Sequence, residues 1–261
     1  MPPPGNNRTI EEIMKRSLMH INRSLRLLLA LACSTPLARA ETASPGKHLF
    51  ILSGQSNMAR LTPENDFIPM VEKAFGKENV IVIKDAHGGK AIDTWYVAAP
   101  PAGQESHAGI YYNTLLDKVR AGIADQKIAT ITFVWMQGES DAVENRGSQY
   151  EENLKGLLGM LAQDLKRDDI HLVLGRLNDA HAGDPRYPDW NTVREIQMRI
   201  AGSRPRSAWV NTDDLNDAGG GLTDKKKGGV HYTPEGYTLF GQRLAEKAIV
   251  LIETADLKNK P

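Results

Sequence analysis

The sequence predicts an α/β fold, one doubly wound domain in which a parallel sheet is covered by helices on both faces. Two patterns predict it. From residue 48 onward five short apolar runs alternate with five longer amphipathic ones, which is the signature of successive βα units. The short runs are β-branched or apolar along most of their length, with no in-out alternation, as strands covered on both faces are. The length of 261 residues suffices for one such domain with a full core and gives no ground for two.

Taken in order, the expected strands are His48–Leu52, Val80–Lys84, Ile128–Met136, Ile170–Leu174 and Ala208–Thr212. Between and after them, apolar residues at helical spacing predict helices over Phe67–Phe75, Tyr111–Ala124, Gln149–Lys166, Thr192–Ala201 and Pro234–Ile252. The last has the clearest start: Thr233 as N-cap, Pro234 in the first turn, then Tyr237, Phe240, Leu244 and Ala248 along one stripe. No internal repeat or low-complexity linker interrupts the alternation.

Ligands of such a sheet bind outside the carboxyl ends of its strands, so the residues following each strand are the informative ones. The first strand is followed by Ser53-Gly54-Gln55-Ser56-Asn57-Met58, the second by Asp85-Ala86-His87-Gly88-Gly89-Lys90 and the third by Gln137-Gly138-Glu139-Ser140-Asp141. After the fifth come Asp213-Asp214-Leu215, a Gly/Lys-rich loop and Gly229-Val230-His231-Tyr232. Four polar, glycine-bearing clusters are thus expected to converge.

Individually these residues say little. Ser56, between a strand and a helix, is as readily an N-cap as a nucleophile, because a serine hydroxyl attacks only with a base in hydrogen-bond reach. His231, just before the final helix, stands where such a base is useful, but a lone histidine is more often structural. Gly88 and Gly89 either form an ordinary turn or bring a backbone N–H close to a substrate oxygen. Gln137 either faces solvent at a strand end or donates its amide to the same oxygen, and Glu139 and Asp141 either cap a turn or take part in chemistry. Their combination is what carries the functional reading.

Composition narrows the setting. Lys+Arg and Asp+Glu are equal at 32 each, and no basic excess points to nucleic acid or to a membrane surface. At the N-terminus, Lys15, Arg16, Arg23 and Arg26 precede the apolar run Leu27–Cys33 and then Ala38-Arg39-Ala40. That order of basic region, apolar stretch and small-x-small triplet predicts an export signal over residues 1–40, cut after Ala40. Lipidation of Cys33 is the second reading, made less apt by the order of Ala30 and Leu31. Removing residues 1–40 takes away six Lys/Arg and two Asp/Glu, leaving 26 basic and 30 acidic residues and a formal charge of −4. It also removes Cys33, the only cysteine, so residues 41–261 are expected to hold together without disulfides. After residue 40 no apolar run approaches the ~20 residues that span a bilayer. The sequence carries no signal of oligomeric state.

Taken together, the four clusters resemble a known family. Leu49-Phe50-Ile51-Leu52-Ser53-Gly54-Gln55-Ser56-Asn57-Met58 is similar to the first block of the sialate O-acetylesterase-like branch of the SGNH (GDSL-like) hydrolases, related to carbohydrate esterase family six. Gly88-Gly89-Lys90-Ala91-Ile92-Asp93-Thr94-Trp95 resembles its second block. Trp135-Met136-Gln137-Gly138-Glu139-Ser140-Asp141 resembles the third, where this branch carries Gln in place of Asn. His231-Tyr232-Thr233-Pro234-Glu235-Gly236-Tyr237 resembles the last. The blocks run in order over roughly residues 47–250.

The resemblance implies a flavodoxin-like three-layer fold with five parallel strands, and esterase chemistry without metal or cofactor on an acetylated carbohydrate. Ser56 is then the nucleophile and His231 the base, while the backbone N–H groups of Ser56 and Gly89 and the side chain of Gln137 form the oxyanion hole. Asn57 and Trp95 are candidates to touch the substrate. Trp95, Tyr96 and Trp190 are the aromatic rings able to stack on a sugar, or else ordinary core.

The sequence departs from the superfamily at the acid. The usual final block is Asp-x-x-His, but Gly228 stands three residues before His231. Glu139 reaching the imidazole from the third strand is the favoured replacement. Asp224, in a loop with Lys225–Lys227, is the alternative acid, and a Ser-His dyad oriented by a backbone carbonyl is a third arrangement. A non-catalytic glycan-binding protein that keeps the fold is the alternative from a different functional class.

Overall fold

Leu49, Phe50, Ile51 and Leu52 offer no polar side chain to solvent, and all four are completely buried in an inner strand of the sheet. In the computed structural model, which describes residues 46–100, 102–103, 106–216 and 229–258, five parallel strands lie side by side. They are β1 (Lys47–Gly54), β2 (Val80–Ala86), β3 (Ile128–Met136), β4 (His171–Gly175) and β5 (Ser207–Val210), in the order β2-β1-β3-β4-β5. This is the flavodoxin-like order, with the direction of winding reversing between β1 and β3. The register brings Gly54 opposite both Ala86 and Met136, so the carboxyl ends of β1, β2 and β3 finish level.

The helices are α1 (Ser56–Arg60), α2 (Pro63–Phe75), α3 (Ile110–Ile123), α4 (Glu139–Val143), α5 (Gly147–Leu165), α6 (Asp189–Ser203) and α7 (Pro234–Lys258). Two groups cover the sheet. The α2 helix packs on α7, which also lies against β4 and β5, while α5 packs on α6. On that second side α3 is tied to α5 by the Tyr112 hydroxyl, which donates to Asp164 at 2.6 Å. Among the described residues no helix is long and apolar enough to cross a membrane.

The expected strands are all present, with ends shifted by up to two residues. The helix expected from Phe67 begins at Pro63, because a proline in the first turn loses no helical hydrogen bond. Helix α7 continues past Ile252 to Lys258. The short helix α4 was not expected, and α1 only as a helix after Ser56 without bounds; a single turn of five residues has no periodicity to reveal it. The export signal over residues 1–40, Cys33, Asp224 and Gly228 lie outside the described residues.

Candidate active site

The chain must turn sharply after β1, and Gly54 makes that turn. Its φ is +138°, and a Cβ there would lie 1.9 Å from the Met136 carbonyl oxygen, so only glycine fits. The N–H of Gln55 donates to that carbonyl at 2.8 Å, and α1 begins at the next residue, Ser56. From β2, the Lys84 ammonium donates to the carbonyls of Ala59 (2.8 Å) and Leu61, holding the far end of α1.

His231 arrives from the opposite side of the sequence. The loop that carries it is pinned to the segment after β5, where Thr233 N–H donates to the Leu215 carbonyl at 3.2 Å. Thr233 also caps α7 as expected, its hydroxyl accepting from Gly236 N–H at 3.0 Å. Gly236 permits that close approach, since a Cβ there would sit 1.9 Å from the Leu215 oxygen. The outcome is a distance of 3.0 Å between His231 Nε2 and Ser56 Oγ. With the ring proton on Nδ1, Ser56 donates to Nε2, the arrangement in which a hydroxyl is ready to lose its proton. Burial, and then the charge of Arg60, lower the His231 pKa from its ordinary value, which keeps the imidazole in the neutral form that accepts a proton.

The Gly88–Gly89 loop completes this side. His87 N–H donates to the Gly54 carbonyl at 2.9 Å, hanging the loop on the end of β1. A Cβ at Gly88 would lie 3.7 Å from that of Ser56, whereas Gly89, at φ +66°, faces open space with nothing within 4 Å. The loop is braced from behind by His87, whose Nε2 lies 2.9 Å from the buried carboxylate of Asp85 and whose ring stacks at 3.7 Å on Tyr111. Lys118 also binds Asp85.

Four expectations need correction. Gln137 was expected to aim its amide at a substrate oxygen, yet it is wholly buried. Its Nε2 has three acceptors for two protons: Asp141 Oδ2 at 2.5 Å, the Lys90 carbonyl at 3.0 Å and Gln55 Oε1 at 3.2 Å. The amide therefore ties β3 to the loop after Gly89 and has no proton left for a ligand. Glu139 was expected to hydrogen-bond the imidazole. Its Oε1 instead accepts from Asn57 Nδ2 at 2.8 Å, and its Oε2 is buried without a partner among the described residues. Asn57, a candidate substrate contact, is buried with its amide committed inside the protein. Trp95 and Trp190 are fully buried: Trp95 meets Trp135 edge-on at 5.2 Å, and Trp190 Nε1 donates to the Asn178 carbonyl at 2.7 Å. Neither ring is open to a sugar.

The buried carboxyls are unusual in charge. Desolvation raises Glu139 to about 7, against the lowering effect of its hydrogen bonds. Asp141 is likewise raised to about 6 by burial, although Gln137 and the Ile92 N–H both donate to it. Among the described residues no group of three or more His, Cys, Asp or Glu is arranged to hold a metal ion.

Sequence reasoning missed the Asp85–His87 brace and Asn178, whose Nδ2 donates to the Val230 carbonyl at 3.3 Å. Asp85 and His87 already stood in the second of the four clusters without their pairing being read, whereas Asn178 follows the carboxyl end of β4, so the same rule could have found it.

Comparison with known proteins agrees with this architecture. Residues 59–250 match the family described as carbohydrate esterase, sialic acid-specific acetylesterase; the match includes His231 and starts just after Ser56. No curated protein matches significantly. Among solved structures, a protein from Arabidopsis thaliana superposes with a TM-score of 0.58 at 20% identity, covering 79% of this chain and 99% of its own. A carbohydrate acetylesterase from Xanthomonas citri gives 0.56 at 16%, covering 80% of this chain and 57% of its own. NanS gives 0.53 at 13%, covering 81% and 99%. At these identities the likeness is one of fold. The family match extends over well more than half of the sequence, and the chain belongs to the carbohydrate esterase, sialic acid-specific acetylesterase family.

Proposed function

We propose that this protein is an exported serine esterase that removes O-acetyl groups from carbohydrate through an acyl-enzyme on Ser56. The observation that carries the proposal is the 3.0 Å contact between Ser56 Oγ and His231 Nε2. Ser56 Oγ attacks the acetyl carbonyl as His231 Nε2 takes its proton. The tetrahedral adduct collapses when His231 returns that proton to the sugar oxygen, which leaves as the free hydroxyl. Water, deprotonated by the same nitrogen, then attacks the acetyl-serine, and the adduct collapses with the acyl–Oγ bond breaking as His231 returns the proton to Ser56 Oγ and acetate leaves. The backbone N–H groups of Ser56 and Gly89 hold the oxyanion, and Gln137 serves by fixing the Lys90 carbonyl at the end of the Gly88–Gly89 loop.

Acetylated carbohydrate as substrate follows from the family; sialate and polysaccharide esters are the two classes to compare. Export rests on the signal-like residues 1–40 and predicts a mature domain that starts at Glu41, which intact mass of the exported protein would reveal. The test of the chemistry is acetate release from p-nitrophenyl acetate and from acetylated sugars by wild type and Ser56→Ala, with a thermal melt of each. The alanine variant should melt like wild type and lose hydrolysis; more than a few per cent of activity retained would remove Ser56 as nucleophile.

A further inference from the structure

Asn57 follows the serine in sequence, and Val230 precedes the histidine. Asn57 Nδ2 donates to the Val230 carbonyl at 2.9 Å and to Glu139 Oε1 at 2.8 Å, and Asn57 Oδ1 accepts from the Tyr237 hydroxyl at 2.9 Å. Both amide protons are used, and the oxygen is held as well. The Asn57 side chain is buried, so it cannot rotate without breaking three bonds and leaving its own polar atoms as costly orphans. It joins four elements: α1, the loop before α7, α4 through Glu139 and α7 through Tyr237.

We propose that Asn57 is a positioning residue for the esterase reaction, which sets the Val230–His231 peptide relative to Ser56 and is itself held by Glu139 and Tyr237. The proposal rests on the Ser56–His231 reading above and extends it. Glu139 then acts on the base through the Asn57 amide and the backbone, with no bond to the imidazole. A side chain that fixes both neighbours of the reacting pair controls the distance across which the proton moves. A displacement of about 1 Å there is enough to cost about 10²-fold in rate. Asn57 and Glu139 are buried and present no surface to a ligand, so the effect belongs in turnover.

The test measures kcat, KM and the rate of labelling by a serine-reactive fluorophosphonate for wild type, Asn57→Ala, Glu139→Gln, their double variant and Tyr237→Phe. Asn57→Ala should lower kcat and the labelling rate by about 10²-fold with KM within about twofold. Glu139→Gln, which weakens the bond that holds the amide, should lower both by a smaller factor. In the double variant it should add nothing further, because its route through Asn57 is already gone. Multiplicative losses would instead show that Glu139 acts on the base by a separate route, and would overturn the proposal.

Should Asn57→Ala fail to fold, Tyr237→Phe decides. It deletes one hydroxyl, leaves the ring packed, and should slow turnover and labelling about fivefold with KM unmoved, the effect expected of one lost hydrogen bond. Wild-type kinetics in a folded Tyr237→Phe, or a change in KM alone, would also overturn it. If the probe labels wild type elsewhere than Ser56, the serine-esterase reading itself fails, which is a distinct result from normal Ser56 labelling in the Asn57 and Tyr237 variants.

Discussion

The Ser56 hydroxyl and the His231 imidazole nitrogen lie 3.0 Å apart although 175 residues separate them. The winding order brings this about, since Ser56 follows the inner strand β1 and His231 precedes the helix that packs against β4 and β5. The imidazole is kept neutral by two effects, burial first and the Arg60 charge second. Below its pKa the protonated ring cannot accept the serine proton, so activity on the acid side should fall with an apparent pKa beneath that of a free histidine.

Arg60→Gln should therefore move the acid limb of the kcat/KM profile to higher pH, because removing a nearby cation makes the imidazolium easier to form. Arg60 is exposed, so salt should shift the wild-type limb in the same direction and the variant's less. A limb that stays fixed on substitution would mean that Arg60 does not act on the base.

Gly54→Ala tests the turn that presents the serine. The new methyl would meet the Met136 carbonyl oxygen at 1.9 Å at a positive φ, and the atoms it meets are all Met136 backbone, with no flexible side-chain end among them. The variant should lose more than about 3 kcal/mol in a denaturant titration. A variant as stable as wild type would mean that the β1–α1 turn relaxes easily.

Trp95→Ala separates the two readings of the aromatic residues. As a fully buried ring edge-on to Trp135, Trp95 should cost about 3–5 kcal/mol on truncation, with melting lowered and KM for an acetylated sugar little changed in the folded fraction. A selective rise in KM without loss of stability would restore it as a sugar contact.

How far the sequence was legible follows from what each signal depends on. The strands and long helices were readable because burial of β1, β3 and β4 demands apolar runs, and the last helix carries its cap at Thr233. The pairing of Ser56 with His231 was readable from their positions at strand ends plus the four ordered blocks. The wiring behind them was not. Glu139 and Gln137 both stand where an acid and an oxyanion donor are expected. Which way a strand-end side chain turns depends, however, on partners far along the chain, Asn57 for the one and Lys90 and Asp141 for the other. Trp95 misled for a related reason: a tryptophan in a glycine-bearing loop reads as exposed until the edge of Trp135 is known to lie against it.

The buried carboxyl of Glu139 makes a prediction about stability and pH. Its pKa is about 7 in the folded protein against 4.5 for a free glutamate, chiefly because burial disfavours the charge. Between those values the folded protein holds a proton that the unfolded chain has released, so this group's contribution to stability is full below pH 4.5 and is lost as pH rises through about 7. The total is on the order of 3 kcal/mol. Asp141, raised to about 6 for the same first cause, acts in the same direction. Two histidines act oppositely, since buried His171 and half-buried His231 have lowered pKa values and favour the folded state as they deprotonate. The wild-type curve alone is therefore a mixture. The difference between Glu139→Gln and wild type isolates the one group, because glutamine does not titrate and the other groups remain. Relative to wild type, the variant should gain stability from pH 5 to pH 8, with the gain concentrated between the two Glu139 pKa values. Urea titrations of both proteins across that range measure it, and a constant difference would mean that Glu139 is ionised in the folded protein throughout.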